Sequence, residues 1–334
     1  MKYHDPSADY GHYPTLAPLP EEFLGHYARC ENCGSIDFRF RLPDWTAVCK
    51  KCGAEPKLPA GVYGKALPKI QIIGSAGHTI LLRPDGTVRA IGDNQYGSCD
   101  VTDWCNIVAI STNTEHTVGL CSDGTVVTTG KNMFGRRNVD DWSDITAVSA
   151  AYNHTAALRS DGTVVTTDPF SILRDVRDWS GITAIAALTG LIAALREDGS
   201  VVVEGYRSDK YPDLHDANKW TEIVSITAGS FFLVGLRKDG TMIAVGNNDD
   251  HQCDVSDWNS ISAVSASQYH TVGLHADGTV AATGRNTEGQ CNVETWSDVA
   301  QIWSCDHFTA AMQHDGTILC TDPQMRKWII DSIA

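Results

Sequence analysis

The chain has 334 residues, 42% of them hydrophobic, and a formal net charge of −15. That length buries a sizeable core in one large domain or two smaller ones, and the composition is that of an ordinary globular protein. Residues 1–68 carry eight of the 26 basic and eight of the 41 acidic side chains, so the whole excess lies in residues 69–334, and an acidic body of that kind repels phosphate and argues against nucleic-acid binding there.

The opening stretch MKYHDPSADYGHYP has no apolar core and does not read as a secretory signal. The longest apolar run, ITAIAALTGLIAAL at residues 182–195, is too short to cross a bilayer. These features predict a soluble, cytoplasmic protein with no membrane partner. Residues 1–25 read as an N-terminal extension.

Residues 26–55 carry CENCG and CKKCG, placing Cys30, Cys33, Cys49 and Cys52 in a C-x2-C-x15-C-x2-C pattern. Two cysteines two apart grip one metal from a tight knuckle, and the glycine after each pair permits the turn. The intervening SIDFRFRLPDWTAV alternates like a hairpin. The unit resembles a zinc ribbon. Four thiolates leave no open coordination position, so the expected cofactor is a structural Zn2+. Such a site supplies on the order of 10 kcal/mol of folding free energy to a segment too small for its own core. Arg29, Arg39, Arg41, Lys50 and Lys51 make this segment locally basic, which admits a nucleic-acid or protein contact. Residues 56–68, rich in Pro and Gly, read as a linker. The other seven cysteines are scattered and read as reduced thiols.

From residue 69 the chain repeats one phrase. The Asp-Gly pair recurs at Asp85, Asp123, Asp161, Asp198, Asp239, Asp277 and Asp315, spaced 38, 38, 37, 41, 38 and 38 residues apart. A period near 40 belongs to stacked or circular repeats. Each copy runs β-branched and small residues, then HTVGL or a variant, then Asp-Gly, then a third strand-like run, a loop, and a closing Trp. Asp-Gly between two such runs is the strongest short-range hairpin signal, because tight hairpin turns need positive φ. No copy shows helical periodicity. Small sheets with nothing else to cover them bury their faces by packing around an axis. The expected fold is therefore all-β: a seven-bladed β-propeller over residues 69–334, preceded by the small ribbon. Trp104, Trp142, Trp179, Trp220, Trp258 and Trp296 close six copies and are expected to pack blade against blade. Ring closure predicts that KIQIIG (69–74) and KWIIDSIA (327–334) are neighbours that seal strand edges.

The phrase HTVGLxxDGTVxATGxNxxGQC resembles the regulator-of-chromosome-condensation repeat, which builds seven-bladed propellers. The resemblance covers roughly residues 69–334. Gly289-Gln290-Cys291 and the closing Trp-Ser-Asp are closer to the bacterial versions than to the eukaryotic pattern. The eukaryotic activity, guanine-nucleotide exchange on a small GTPase, is thereby the alternative reading.

The repeated His78, His116, His154 and His270 align with Leu191, Phe232 and Phe308, so the position reads as packing, not chemistry. The same comparison removes Cys99, Cys253 and Cys291, which align with Arg137. There is no phosphate loop, dinucleotide fingerprint or nucleophile elbow, and no enzymatic activity is expected. In an antiparallel meander alternate loops share a side. The Asp-Gly side is uniform; the other side varies. Its loops between first and second strands offer Glu115, Tyr152, Phe231, Tyr269 and His307, and the loops after the third strand offer Tyr96, Phe134, Phe170, Tyr206, Tyr211 and Asp250. Aromatics on adaptable loops serve as anchors at protein interfaces. The expected function is non-enzymatic binding of a protein partner through this face, with the ribbon as a second contact. A nucleic-acid-linked role is reserved for the ribbon.

Overall fold

The computed structural model describes residues 38–41, 46–49, 70–167, 174–206 and 210–333. The chain divides into two compact units, Met1–Lys69 with His314–Thr317, and Ile70–Gln313 with Ile318–Ala334. In the first, β1 (Phe38–Arg41) and β2 (Thr46–Cys49) pair antiparallel, Phe38 opposite Cys49 and Arg41 opposite Thr46. This is the hairpin expected between the two cysteine pairs.

In the second unit each Asp-Gly repeat forms an antiparallel three-strand meander. The first repeat contains β3 (Gln71–Gly74), β4 (His78–Leu82) and β5 (Val88–Gly92), and the second β6 (Ile107–Thr112), β7 (His116–Cys121) and β8 (Val126–Gly130). The third holds β9 (Ile145–Ala150), β10 (Thr155–Arg159) and β11 (Val164–Thr166), and the fourth β12 (Ile182–Leu188), β13 (Leu191–Arg196) and β14 (Val201–Gly205). Next come β15 (Ile223–Ala228), β16 (Phe232–Arg237) and β17 (Met242–Gly246), then β18 (Ile261–Ala266), β19 (His270–His275) and β20 (Val280–Gly284). The last repeat supplies β21 (Val299–Cys305), β22 (Phe308–Gln313) and β23 (Ile318–Cys320). The middle strand of each repeat is buried almost end to end, which is why HTVGL reads as one continuous run.

The first strands of successive repeats contact one another in the order β3, β6, β9, β12, β15, β18 and β21, and β21 returns to β3. The circuit closes through parallel pairing of Cys305 with Gly74, which fuses the last and first meanders into one six-stranded sheet. The expectation for the C-terminal tail is that it neighbours residues 69–74 and seals strand edges there; the strand that pairs with β3 is β21. The tail is instead helix α1 (Pro323–Ile333). Asp322 caps it, its Oδ1 accepting from the amides of Gln324 at 2.7 Å and Met325 at 3.2 Å, and Pro323 takes the first helical position. Among the described residues the segment after the third strand forms turns and 3-10 helices, at Met133–Gly135, Arg174–Asp178 and Pro212–Lys219, with no fourth strand.

Two contacts explain what the repeat conserves from copy to copy. In each Asp-Gly turn the aspartate Oδ1 accepts from the amide two residues on, at 2.8–3.0 Å. In the first six turns the glycine carbonyl then accepts the amide that opens the next repeat's first strand, as Ile145 donates to Gly124 at 3.0 Å. The turn side is uniform because each of these six turns holds its neighbour. The tryptophans do the same from the opposite direction. A Cβ on Gly119 would lie 2.7 Å from the Trp104 ring, on Gly273 2.8 Å from Trp258, and on Gly235 2.9 Å from Trp220. Each of these three Trp rings therefore packs close against the glycine at the centre of the next repeat's middle strand. Where Ala157, Ala194 and Ala311 replace that glycine, they share a cluster with Trp142, Trp179 and Trp296.

Candidate partner-binding face

The loops between first and second strands and the loops after the third strand meet on one side, as the meander requires. Lys131 and Arg136, in the loop after β8, both bond Glu115, which lies before β7: Nζ to Oε1 at 2.8 Å and Nη2 to Oε2 at 2.7 Å. Partial burial pushes the Glu115 carboxyl up, but these two hydrogen bonds outweigh it and hold it below the ordinary range. Arg136 is fully buried. Its Nε donates to the Lys131 carbonyl at 2.8 Å and its Nη1 to the Tyr152 carbonyl. The guanidinium stands 5.9 Å from the centre of the Tyr152 ring, and the Lys131 ammonium 4.5 Å from that of Tyr96. Three predicted residues from three repeats, Tyr96, Glu115 and Tyr152, are thus tied into one cluster by two cations.

Phe134 sits in the same loop with φ of 64°, a conformation costly for a bulky side chain. Its counterparts in other repeats, Tyr96, Asp250 and Glu288, do not adopt it. The extra turn leaves Phe134 38% exposed, in the company of Tyr96 at 44% and Tyr152 at 46%.

A second cluster repeats the design. The Arg285 Nη2 bonds Asp250 Oδ2 at 2.8 Å, and its guanidinium lies 3.6 Å from the centre of the Tyr269 ring. Close by in sequence, His307 Nδ1 is 2.8 Å from Glu288 Oε2. A third group joins Tyr211 to Phe231, ring centres 5.6 Å apart, with Lys210 over Tyr211 at 4.9 Å and bonded to Asp249 at 3.1 Å. Tyr206 is exposed and joins none of these contacts. Phe170 lies outside the described residues, as do Cys30, Cys33 and Cys52; for Cys49 only the strand backbone is described.

Sequence reasoning found the aromatics and missed the cations that organise them. Lys131 and Arg285 follow the third-strand glycine where Asp93 and Asn247 stand in other repeats. Arg136 takes the place of Gln252 and Gln290. Those departures from the repeat's own consensus were the available signal.

The repeated histidines are buried, as a packing position requires, but they are also polar links. His78, His116 and His270 place Nε2 2.9, 2.9 and 2.8 Å from the threonine hydroxyls of Thr117, Thr155 and Thr309 in the next repeat. Each of those threonines donates its own proton to a backbone carbonyl at 2.7–2.8 Å. The imidazole must therefore donate from Nε2, and burial holds all three rings neutral, His78 and His270 down to about 4. The set-aside thiols of Cys99, Cys253 and Cys291 donate to backbone carbonyls six residues earlier, and Arg137, at the same position, donates to the Gly130 carbonyl seven residues earlier.

Residues 223–252 and 261–290 match the model of the regulator of chromosome condensation (RCC1) repeat. No curated protein matches the chain. Among solved structures, the ectodomain of the Physcomitrella patens receptor kinase CR4 is similar at 18% identity, covering 75% of this chain and 72% of that one, with a TM-score of 0.58. Human WBSCR16 follows at 14% identity, 70% and 84% coverage and 0.55. Prp20p from Saccharomyces cerevisiae, described with its binding to Gsp1p and histones, is 15% identical over 64% of this chain and 71% of its own, at 0.51. At these identities the likeness is one of fold. That fold is mostly β, built of small antiparallel sheets, and the two matched segments make its repeats RCC1-like.

Proposed function

We propose that residues 69–334 form a seven-bladed propeller that binds a protein partner through the loop face carrying Tyr96, Glu115, Phe134, Tyr152, Phe231, Asp250 and Tyr269, without enzymatic activity. The observation that carries this reading is the contrast between the two sides. Six of the seven Asp-Gly turns are spent on holding the next repeat, whereas the opposite loops present exposed aromatics steadied by buried or paired cations. Rigid aromatic anchors of this kind are what protein interfaces use. The described binding of Prp20p to Gsp1p and histones supports the same class of role. Nucleotide exchange on a GTPase is the alternative within that class.

The Cys30, Cys33, Cys49 and Cys52 thiolates hold a structural Zn2+ in this reading, with the ribbon as a second contact surface. The β1–β2 hairpin between the cysteine pairs supports it. No helix among the described residues is long and apolar enough to cross a membrane.

The test is affinity capture with the full chain and with a Phe134→Ala, Tyr152→Ala, Tyr269→Ala triple variant of unchanged circular dichroism. Stoichiometric protein capture by the parent and its loss in the variant is expected. Equal capture by both sinks the face assignment. Accelerated nucleotide release from a captured GTPase would select the exchange reading.

A further inference from the structure

The circuit of first strands encloses a cavity of about 600 Å3, bounded by residues of every repeat from Gln71 to Asp306. That volume is ample for a small-molecule site. Its wall is built by one recurring interaction. At one rung, the hydroxyl of Ser111 accepts the amide of Ala150 at 2.9 Å, Ser149 that of Ala187 at 2.9 Å, Thr227 that of Ala266 at 3.2 Å, and Ser265 that of Ser304 at 3.0 Å. The interaction gives the edge amide of each inner strand an acceptor where no further strand can pair with it. It also has a chemical by-product. A hydroxyl that accepts from an amide keeps its own proton to donate, so Ser111, Ser149 and Thr227 offer O–H groups along the cavity wall, whereas the Ser265 and Ser304 hydroxyls bond each other at 2.8 Å.

The rung is not symmetrical. Aligning the first strands, the position of Ser111, Ser149, Thr227 and Ser265 is held by Trp303 in the last repeat and by Ile73 in the first. Trp303 lines the cavity and is nearly buried. An aromatic and aliphatic wall therefore stands in the same ring as a wall of hydroxyl donors. Tyr152 and Phe231, two of the loop-face aromatics, also line the cavity.

The electrostatics narrow the ligand. Among the described lining residues there is no Lys, Arg or His, so nothing compensates a phosphate or carboxylate. The one lining carboxylate, Asp306, is buried and accepts the amide of Gln268 at 2.9 Å. It is already partnered, and its carboxylate adds acceptor character while repelling an anionic ligand.

We infer that this cavity is a binding site for a neutral polyhydroxylated ligand of the saccharide class, its apolar ring face against Trp303 and its hydroxyls bonded to the Ser/Thr rung. A sugar ring offers both faces that the wall asks for: C–H bonds for an aromatic surface, and hydroxyls that donate and accept. The inference is independent of the protein-partner reading.

The test is isothermal titration calorimetry of the full-length protein against glucose, galactose, mannose, N-acetylglucosamine, maltose, cellobiose and lactose, with inorganic phosphate as the anionic control. Saturable binding of at least one saccharide at one site per chain is expected, with no phosphate binding. Trp303→Leu should weaken it by about tenfold or more, whereas Trp303→Phe keeps it within a few-fold. Thr227→Val and Thr227→Ser give the same contrast at the hydroxyl wall should the Trp303 variants fail to fold. No saturable saccharide binding, phosphate binding in its place, or binding indifferent to both Trp303→Leu and Thr227→Val would overturn the proposal.

Discussion

His116 places Nε2 2.9 Å from the hydroxyl of Thr155, a residue 39 positions later and one repeat further round. Asn113 approaches the other ring nitrogen at 2.7 Å, and Thr155 passes its own proton to the Arg136 carbonyl at 2.7 Å. A buried polar chain thus fastens one repeat to the next. The same chain recurs from His78 to Thr117 and from His270 to Thr309.

Cutting this chain on one side should cost more than removing it. His116→Phe or Thr155→Val leaves a buried polar partner unmatched, and each should destabilise by about 1–3 kcal/mol. The double variant should cost less than the sum. The protein contains its own control, since Leu191 and Leu233 hold the equivalent pair of positions in one apolar cluster. Urea unfolding of the four proteins in a double-mutant cycle measures the difference.

The same histidines set an acid limit. Burial lowers His78 and His270 from 6.5 to about 4, and His116 well below its ordinary value. As pH falls below 6.5 the unfolded chain takes up these protons and the folded chain does not. Stability is therefore lost between about pH 6.5 and 4, by up to about 3 kcal/mol for each of His78 and His270, and His116 acts in the same direction. Asp306 opposes this: burial raises it from 3.8 to about 6, so its unfavourable charge appears as pH rises through that window. Denaturation midpoints at pH 7.5 should exceed those at 4.5, and Asp306→Asn should stabilise at 7.5 but not below 4.

The tryptophan contact predicts a size limit. Gly119→Ala places its Cβ 2.7 Å from the Trp104 ring, so the ring must shift, and a loss of about 1 kcal/mol is expected. Gly119→Val drives a branched side chain into Trp104, whose ring would already be 2.7 Å from an added Cβ. A loss of about 2 kcal/mol or more is expected, read as a lowered thermal midpoint.

Glu115 is the sole carboxylate bonded to the fully buried Arg136 among the described residues. Glu115→Ala should cost about 3 kcal/mol, since it strands a buried cation. Arg136→Gln restores the residue used at Gln252 and Gln290 and should cost less. Comparing the two by chemical denaturation separates loss of a pair from creation of an unpaired charge.

Metal removal tests the cysteine quartet. One zinc per chain is expected by elemental analysis, lost in Cys33→Ser. A strong chelator should abolish the cooperative unfolding of the N-terminal segment and leave the repeat unit's transition unchanged.

Asp-Gly at a fixed period, HTVGL before it and Trp after it were enough to give the strands, the turns and the repeat count of those motifs. They carry that information because hairpin turns, burial and stacking each demand particular residues at short range. The aromatic loop positions were legible for the same reason, as departures from a repeated phrase. What only the tertiary structure decided lies between repeats. Lys131, Arg136 and Arg285 gain meaning from Tyr96, Tyr152 and Asp250 one repeat away, and the Ser/Thr rung from amides 38 or 39 residues on. The seam formed by Cys305 and Gly74 joins the two ends of the repeat array, and the tail that seemed fit for it is helical because Asp322 and Pro323 start a helix. Periodicity shows how each repeat folds, but which neighbour completes it depends on closing the circuit.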